Sequence, residues 1–306
     1  MESSAVSCAT ARRRRIVLYG DSLTQRSFEP FGFGAALAGA FSRTCDVFNR
    51  GFGGYNSRWC ARADLLEHAF GDDARYPGRI YLSTVLLGTN DATRYVKAES
   101  QARNRVSVEL EEYEENMYAI LRRAAEASEI VIAFSPPPVD EKRRRASQRK
   151  RWGKDWVGGA FEDHRPDIGK YSEALRRAVK RLDDEGYTWI YGCDLYSTFV
   201  NDEEGYADFF EDGVHFNSEG QMCVSDSLMR MLTYLNVKEP HWDSQGLEPD
   251  FPYGEALRVP KDATVTDDDV FHLHAELKAR REREREQRQA SRLVLGVQPQ
   301  QMVSRK

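Results

Sequence analysis

Five short apolar runs separated by helical stretches constrain this chain more than any other feature of its sequence. The runs are Ile16–Tyr19, Asp46–Asn49, Ile80–Leu87, Glu129–Phe134 and Tyr187–Tyr191, each bounded by Gly, Pro, Asn or Ser. Runs of that length and flanking chemistry read as buried parallel strands. Between them, Phe31–Phe41, Arg58–Phe70, Val106–Ala127 and Asp167–Leu182 carry apolar residues at three- and four-residue spacing, and Ser218–Leu235 follows the fifth run. Amphipathic helices alternating with such strands imply βαβ units with right-handed crossovers. The expected fold is therefore a three-layer α/β domain with one parallel sheet covered on both faces. It should occupy roughly residues 12–236.

Composition narrows the class of protein. No run approaches the roughly 20 consecutive apolar residues of a membrane span. The opening MESSAVSCATARRRR lacks the apolar core of a secretory signal, so an intracellular, cytoplasmic location is expected. Cys8, Cys45, Cys60, Cys193 and Cys223 are scattered without paired metal spacing, which suits reduced thiols. A net charge of −5 argues against a dedicated nucleic-acid binder.

Two charged segments interrupt the pattern. KRRRASQRKR, residues 142–151, holds seven positive charges and no negative one. Mutual repulsion favours a solvated loop there, with contact to an acidic partner as the alternative. From residue 237 onward the chain carries 12 basic and 13 acidic residues with no continuous apolar stripe. Residues 237–306 read as a partly disordered extension, with the aromatics of His241–Tyr253 able to fold back, and residues 1–13 as a flexible start. His272 and His274 are the nearest approach to a metal motif and read as solvated tail residues; no cofactor is expected.

In open α/β sheets, ligands bind at the carboxyl ends of the strands. The first run ends in Gly20-Asp21-Ser22, which alone reads as a helix cap. The second leads into Asn49-Arg50-Gly51-Phe52-Gly53-Gly54-Tyr55-Asn56, which alone reads as a glycine turn. The third ends in Gly88-Thr89-Asn90-Asp91, again a possible cap. Phe210-Glu211-Asp212-Gly213-Val214-His215-Phe216, after the last run, changes the balance. Asp212 and His215 are close enough for the carboxylate to fix the imidazole tautomer. Serine, glycine turn, asparagine and an Asp–His pair make a complete acyl-transfer inventory.

These blocks resemble the GDSL, or SGNH, hydrolase family, named for its Ser, Gly, Asn and His. The resemblance covers residues 14–236. RIVLYGDSLTQRSFEPFGFGAAL, VFNRGFGGYNSRW, LLGTNDA, DGVHFNSEGQ and the PPPVDE segment are similar to the isoamyl acetate-hydrolysing esterase branch. The resemblance implies a flavodoxin-like α/β/α sandwich with a five-stranded parallel sheet. It implies Ser22 as nucleophile, His215 as base, Asp212 as its orienter, and Ser22, Gly54 and Asn90 as oxyanion donors. Asp21 and Asp91 are expected to support loops, and a side chain at position 54 to obstruct the approach to the carbonyl. The basic segment and the charged tail depart from the branch.

The function expected is a serine esterase acting on small-molecule carboxylic esters of small or medium acyl groups. Alternatives with the same chemistry are a lysophospholipase, thioesterase, carbohydrate deacetylase or acyltransferase. A binding or scaffold module would have no use for Ser22, Asn90 and His215. A nucleotide-binding flavodoxin-like protein would need a phosphate-binding glycine motif after the first strand, and none is present.

Overall fold

The computed structural model describes residues 13–235 and 237, except 77, 99, 101–103, 154–161 and 202–204. Five strands form one parallel sheet: β1 (Arg14–Gly20), β2 (Cys45–Gly51), β3 (Ile80–Leu86), β5 (Ser128–Phe134) and β7 (Ile190–Cys193). Their order is β2-β1-β3-β5-β7. The chain steps outward from β1 to β2 and then returns to the other side of β1, so the direction of winding reverses between β1 and β3. A crevice opens at such a switch point. Gly20 pairs with both Gly51 and Leu86, which brings the carboxyl ends of three strands level.

Alternating strand residues feed two cores. Val17 and Tyr19 of β1, Val85 of β3 and Val131 and Ala133 of β5 face a buried cluster with α5 (Leu110–Ala127) and α7 (Ile168–Asp184). The inner face of α7 is Ile168, Tyr171, Ala174, Leu175, Ala178 and Leu182, the i, i+3, i+4 spacing read from the sequence. On the other face, α2 (Phe33–Ala40) packs against α9 (Ser218–Tyr234), and Phe33 meets Phe134 of β5 with ring centroids 5.5 Å apart. Fully burying each such Leu, Ile or Phe contributes about 1.5–3 kcal/mol, which is why a period-two strand between two period-3.6 faces is stable.

The expected sheet is present, with local differences. The fifth strand begins at Ile190, not Tyr187, because the Tyr187 N–H turns back to the Leu182 carbonyl and closes α7. The Arg58–Phe70 helix is two helices, α3 (Ser57–Cys60) and α4 (Ala63–Phe70), separated by the extended backbone of Arg62. A two-residue antiparallel ribbon joins β4 (Arg94–Tyr95) to β6 (Asp163–His164). A short helix, α8 (Leu195–Val200), also lies outside the expected alternation.

The expectation of a loop at 142–151 is wrong. The segment lies within α6 (Glu141–Trp152). The Asp140 carboxylate accepts the Arg143 N–H at 3.0 Å as an N-cap, Glu141 sits in the first turn, and Arg149, Lys150 and Arg151 sit in the last. That order of charge suits the helix dipole. Like-charge repulsion is offset from outside the helix: Arg144 pairs with Asp163, Arg145 with Glu162 and Arg143 with Asp208. The readings made for residues 1–12, His241–Tyr253, His272, His274 and the extension from 238 onward lie outside the described residues. Among the described residues, no helix is long and apolar enough to cross a membrane.

Candidate active site

Ser22 opens the four-residue helix α1 (Ser22–Gln25) directly after β1. Asp21 caps it, its Oδ1 accepting the Leu23 N–H at 2.9 Å. Asn49 of β2 fastens the same helix, its amide donating to the carbonyls of Thr24 at 3.1 Å and Gln25 at 3.0 Å. The serine is thus presented by a turn anchored to two strands.

His215 reaches that serine from the far end of the chain. Phe210 and Phe216 form an antiparallel bridge, and the Glu211 N–H donates to the His215 carbonyl at 2.8 Å. Both phenylalanines are buried and stack near Phe199 of α8, so the loop hangs from an aromatic anchor. His215 Nε2 lies 2.9 Å from Ser22 Oγ, and Nδ1 lies 3.0 Å from Asp212 Oδ2. The tautomer that satisfies both contacts carries its proton on Nδ1, donates to the carboxylate and leaves Nε2 to accept from the serine hydroxyl.

Asp212 is held as an anion. Its Oδ1 accepts the N–H groups of Val214 at 3.0 Å and His215 at 2.8 Å. Burial alone would raise its pKa. The hydrogen bond and charge of His215, with the two backbone N–H groups, outweigh that and hold the carboxyl well below the usual range.

The glycine turn lies beside the serine. The Gly53 N–H donates to Gln25 Oε1 of α1 at 2.7 Å, and a Cβ on Gly53 would stand 3.9 Å from the Ser22 Cβ. Gly54 has φ +80°. A Cβ there would meet no protein atom within 4 Å, so within the folded chain the glycine answers to its left-handed backbone. Asn90 donates one amide N–H to the Tyr55 carbonyl at 2.8 Å, which ties it to the same turn and leaves its second N–H uncommitted to that bond.

Asp21 and Asp91 are fully buried beneath this surface. Asp91 Oδ1 accepts the Ser57 N–H at 2.9 Å, while Oδ2 of each carboxyl has no hydrogen-bond partner among the described residues. Burial, reinforced for Asp21 by the charge of Asp91, pushes Asp21 up to about 7, and burial pushes Asp91 up to about 6. Cys45, Cys60, Cys193 and Cys223 form no disulfide among the described residues.

Several residues here were not singled out from the sequence: Gln25, Asn49, Arg144, Asp163 and Arg165. Arg165 is almost fully buried, donates from Nε to the Thr89 carbonyl at 2.7 Å, and pairs through Nη1 with Asp163 Oδ1 at 2.8 Å. Asp163 is two residues away but Thr89 is 76, so no local spacing marks the place of Arg165 beside Asn90. Arg144 did have a signal, because Asp140-Glu141 followed by an unbroken non-proline stretch is a helix-start pattern that would have placed it on a face.

Comparison with known proteins gives the family. A model of the GDSL-like lipase/acylhydrolase family matches residues 18–222. A GDSL esterase/lipase of Arabidopsis thaliana is 31% identical over 76% of this chain and 91% of its own length. The isoamyl acetate-hydrolyzing esterase 1 homolog of Bos taurus is 29% identical over 74% of this chain and 86% of its own. Among solved structures, LAE5, an alpha/beta hydrolase enzyme from the metagenome of Lake Arreo, superimposes with TM-score 0.52 at 19% identity, covering 74% of this chain and 98% of that one. The chain belongs to the GDSL-like lipase/acylhydrolase family of ester-hydrolysing enzymes.

Proposed function

We propose that this enzyme hydrolyses carboxylic esters of small or medium acyl groups through an acyl-enzyme intermediate formed on Ser22. The observation that carries the reading is the continuous relay from Ser22 Oγ to His215 Nε2 at 2.9 Å and from Nδ1 to Asp212 at 3.0 Å. A serine hydroxyl is too weak an acid to ionise unaided. His215 takes its proton as Oγ attacks the ester carbonyl. The tetrahedral oxyanion is met by the Ser22 and Gly54 N–H groups and the second Asn90 N–H. His215 then protonates the leaving alcohol, and a water repeats the sequence on the acyl-enzyme. Asp212 stays ionised throughout and steadies the imidazolium. The small acyl class is supported by the isoamyl acetate-hydrolyzing esterase homologs among the relatives. The hydrolase domain would span 14–236, with the remainder as an appendage.

The test is hydrolysis of p-nitrophenyl acetate, butyrate and octanoate, together with fluorophosphonate labelling. The expected result is turnover falling with acyl length, with labelling and turnover both lost in Ser22→Ala while the melting temperature is kept. Turnover retained by a folded Ser22→Ala protein overturns the assignment.

A further inference from the structure

The basic helix α6 grips the loop that carries the relay. The Asp140 N–H donates to the Gly213 carbonyl at 2.9 Å, and the Arg143 guanidinium donates to the Phe210 carbonyl. Gly213, at φ +91°, has no room for a side chain: a Cβ would come within 2.4 Å of the Arg144 N and the Asp140 O. The backbone of the Asp212–His215 loop therefore sits directly on the first turn of α6.

Arg144 extends that contact to the charge itself. Its Nε and Nη2 donate to the two oxygens of Asp163, each at 2.9 Å, in a fork-to-fork pair. The pair fixes the guanidinium plane and leaves Nη1 facing Asp212 Oδ2 at 3.5 Å. Oδ2 is the oxygen that faces His215 Nδ1. At that separation the contact is chiefly electrostatic, and its strength depends on how completely Asp163 neutralises Arg144. Asp163 is shared with Arg165, whose other hydrogen bond holds the carbonyl of Thr89, the residue before Asn90. Arg144, Asp163 and Asp212 line a cavity of about 170 Å³.

We propose that Arg144 is a positioning residue for the ester hydrolysis assigned above, its guanidinium drawing on Asp212 Oδ2 from behind so that Asp163 and Arg144 together set how strongly Asp212 stabilises the His215 imidazolium. This rests on the reading of Ser22, Asp212 and His215 as the catalytic relay. The groups facing Asp212 are His215 on its own loop, Arg144 and Arg151 of α6, Asp163 of β6 and, across the cavity, Tyr95 of β4. Neighbouring Glu211 is paired with Arg26, and Arg143 with Asp140 and Asp208. Arg144 is in direct contact with the relay carboxylate. Removing it gives Asp212 undivided to the imidazolium. Removing its counter-charge on Asp163 has the reverse effect.

The experiment is the pH profile of kcat/KM for p-nitrophenyl acetate in the full chain, in Arg144→Gln, Arg144→Lys and Asp163→Asn, with melting temperatures measured in parallel. The acidic limb should move up by about 0.5–1 pH unit in Arg144→Gln, by less in Arg144→Lys, and down in Asp163→Asn, with KM unchanged. Loss of packing alone produces no such opposed pair. An unmoved limb in folded Arg144→Gln, or displacement of Arg144→Gln and Asp163→Asn in the same direction, overturns the proposal. Should Arg144→Gln not fold, an unmoved limb in both Arg144→Lys and Asp163→Asn does the same. Ser22→Ala separates the two levels: turnover surviving in it overturns the relay, whereas an unmoved limb with dead Ser22→Ala overturns Arg144 alone.

Discussion

Two regions of the site present aspartates, and they drive the carboxyl group in opposite directions. On the loop after the last strand, Asp212 is partly exposed and surrounded by donors: two backbone N–H groups, an imidazole and a guanidinium. Its pKa falls. On the floor beneath Ser22 and Asn90, Asp21 and Asp91 are fully buried, each with one oxygen given to a backbone N–H and the other left without a partner. Their pKa values rise to about 7 and about 6. Charge is useful only where it is met, so the first environment suits chemistry and the second suits structure. A carboxyl that holds a proton still accepts the hydrogen bond that caps a helix.

Replacing each aspartate by its neutral isostere should break the comparison most sharply. Asp212→Asn removes the anion that orients His215 and should lower kcat by about 10⁴. Asp21→Asn keeps an acceptor for the Leu23 N–H and should stay within about tenfold of wild type. Equal losses in the two variants, measured on one chromogenic ester, would mean that the floor carries a working charge as well.

A smaller effect is expected at the donor between the regions. Asn90→Ala should cost about 10²–10³ in kcat, on the order of 3–4 kcal/mol, because the proposed oxyanion donor is lost while the relay is intact. Fluorophosphonate labelling should persist at a reduced rate, and undiminished turnover would remove Asn90 from the oxyanion site.

The subtlest effect is on stability. The native floor carboxyls hold protons to about pH 7 and about 6, whereas unfolded aspartates release theirs near 3.8. Between those values the native state binds more protons, so this contribution is fully present below about pH 4 and is lost as pH rises through 6 to 7. Asp212 acts in the opposite sense: its contribution is present above 3.8 and is lost as pH falls below it. Urea unfolding at pH 5 and pH 8 should show Asp21→Asn and Asp91→Asn gaining relative to wild type at the higher pH, by at most a few kcal/mol on linkage grounds. Parallel curves would mean that the two carboxyls are ionised in the native protein.

Much of this site was legible before any coordinates. Ser22, Gly54 and Asn90 lie just after strand ends, where the topology of an open sheet concentrates ligands. Asp212 and His215 lie instead on the loop between α8 and α9 and were marked by their own spacing. The Asp-Glu start of α6 was equally legible, but a count of seven positive charges favoured a loop. The missing information was the acidic partners, above all Asp163, and those are supplied by chain far along the sequence.

Local periodicity and strand-end chemistry determined the alternation of elements, the parallel sheet and the inventory of reacting groups, because period and flanking residue are properties of adjacent positions. Only the tertiary structure decided that one oxygen of Asp212, Oδ2, meets both His215 and Arg144 while the other takes two backbone N–H groups. It also decided that Asp21 and Asp91 share a buried floor. Those outcomes depend on burial and on charges brought together from distant segments, and electrostatic energy depends on distance in space, not along the chain.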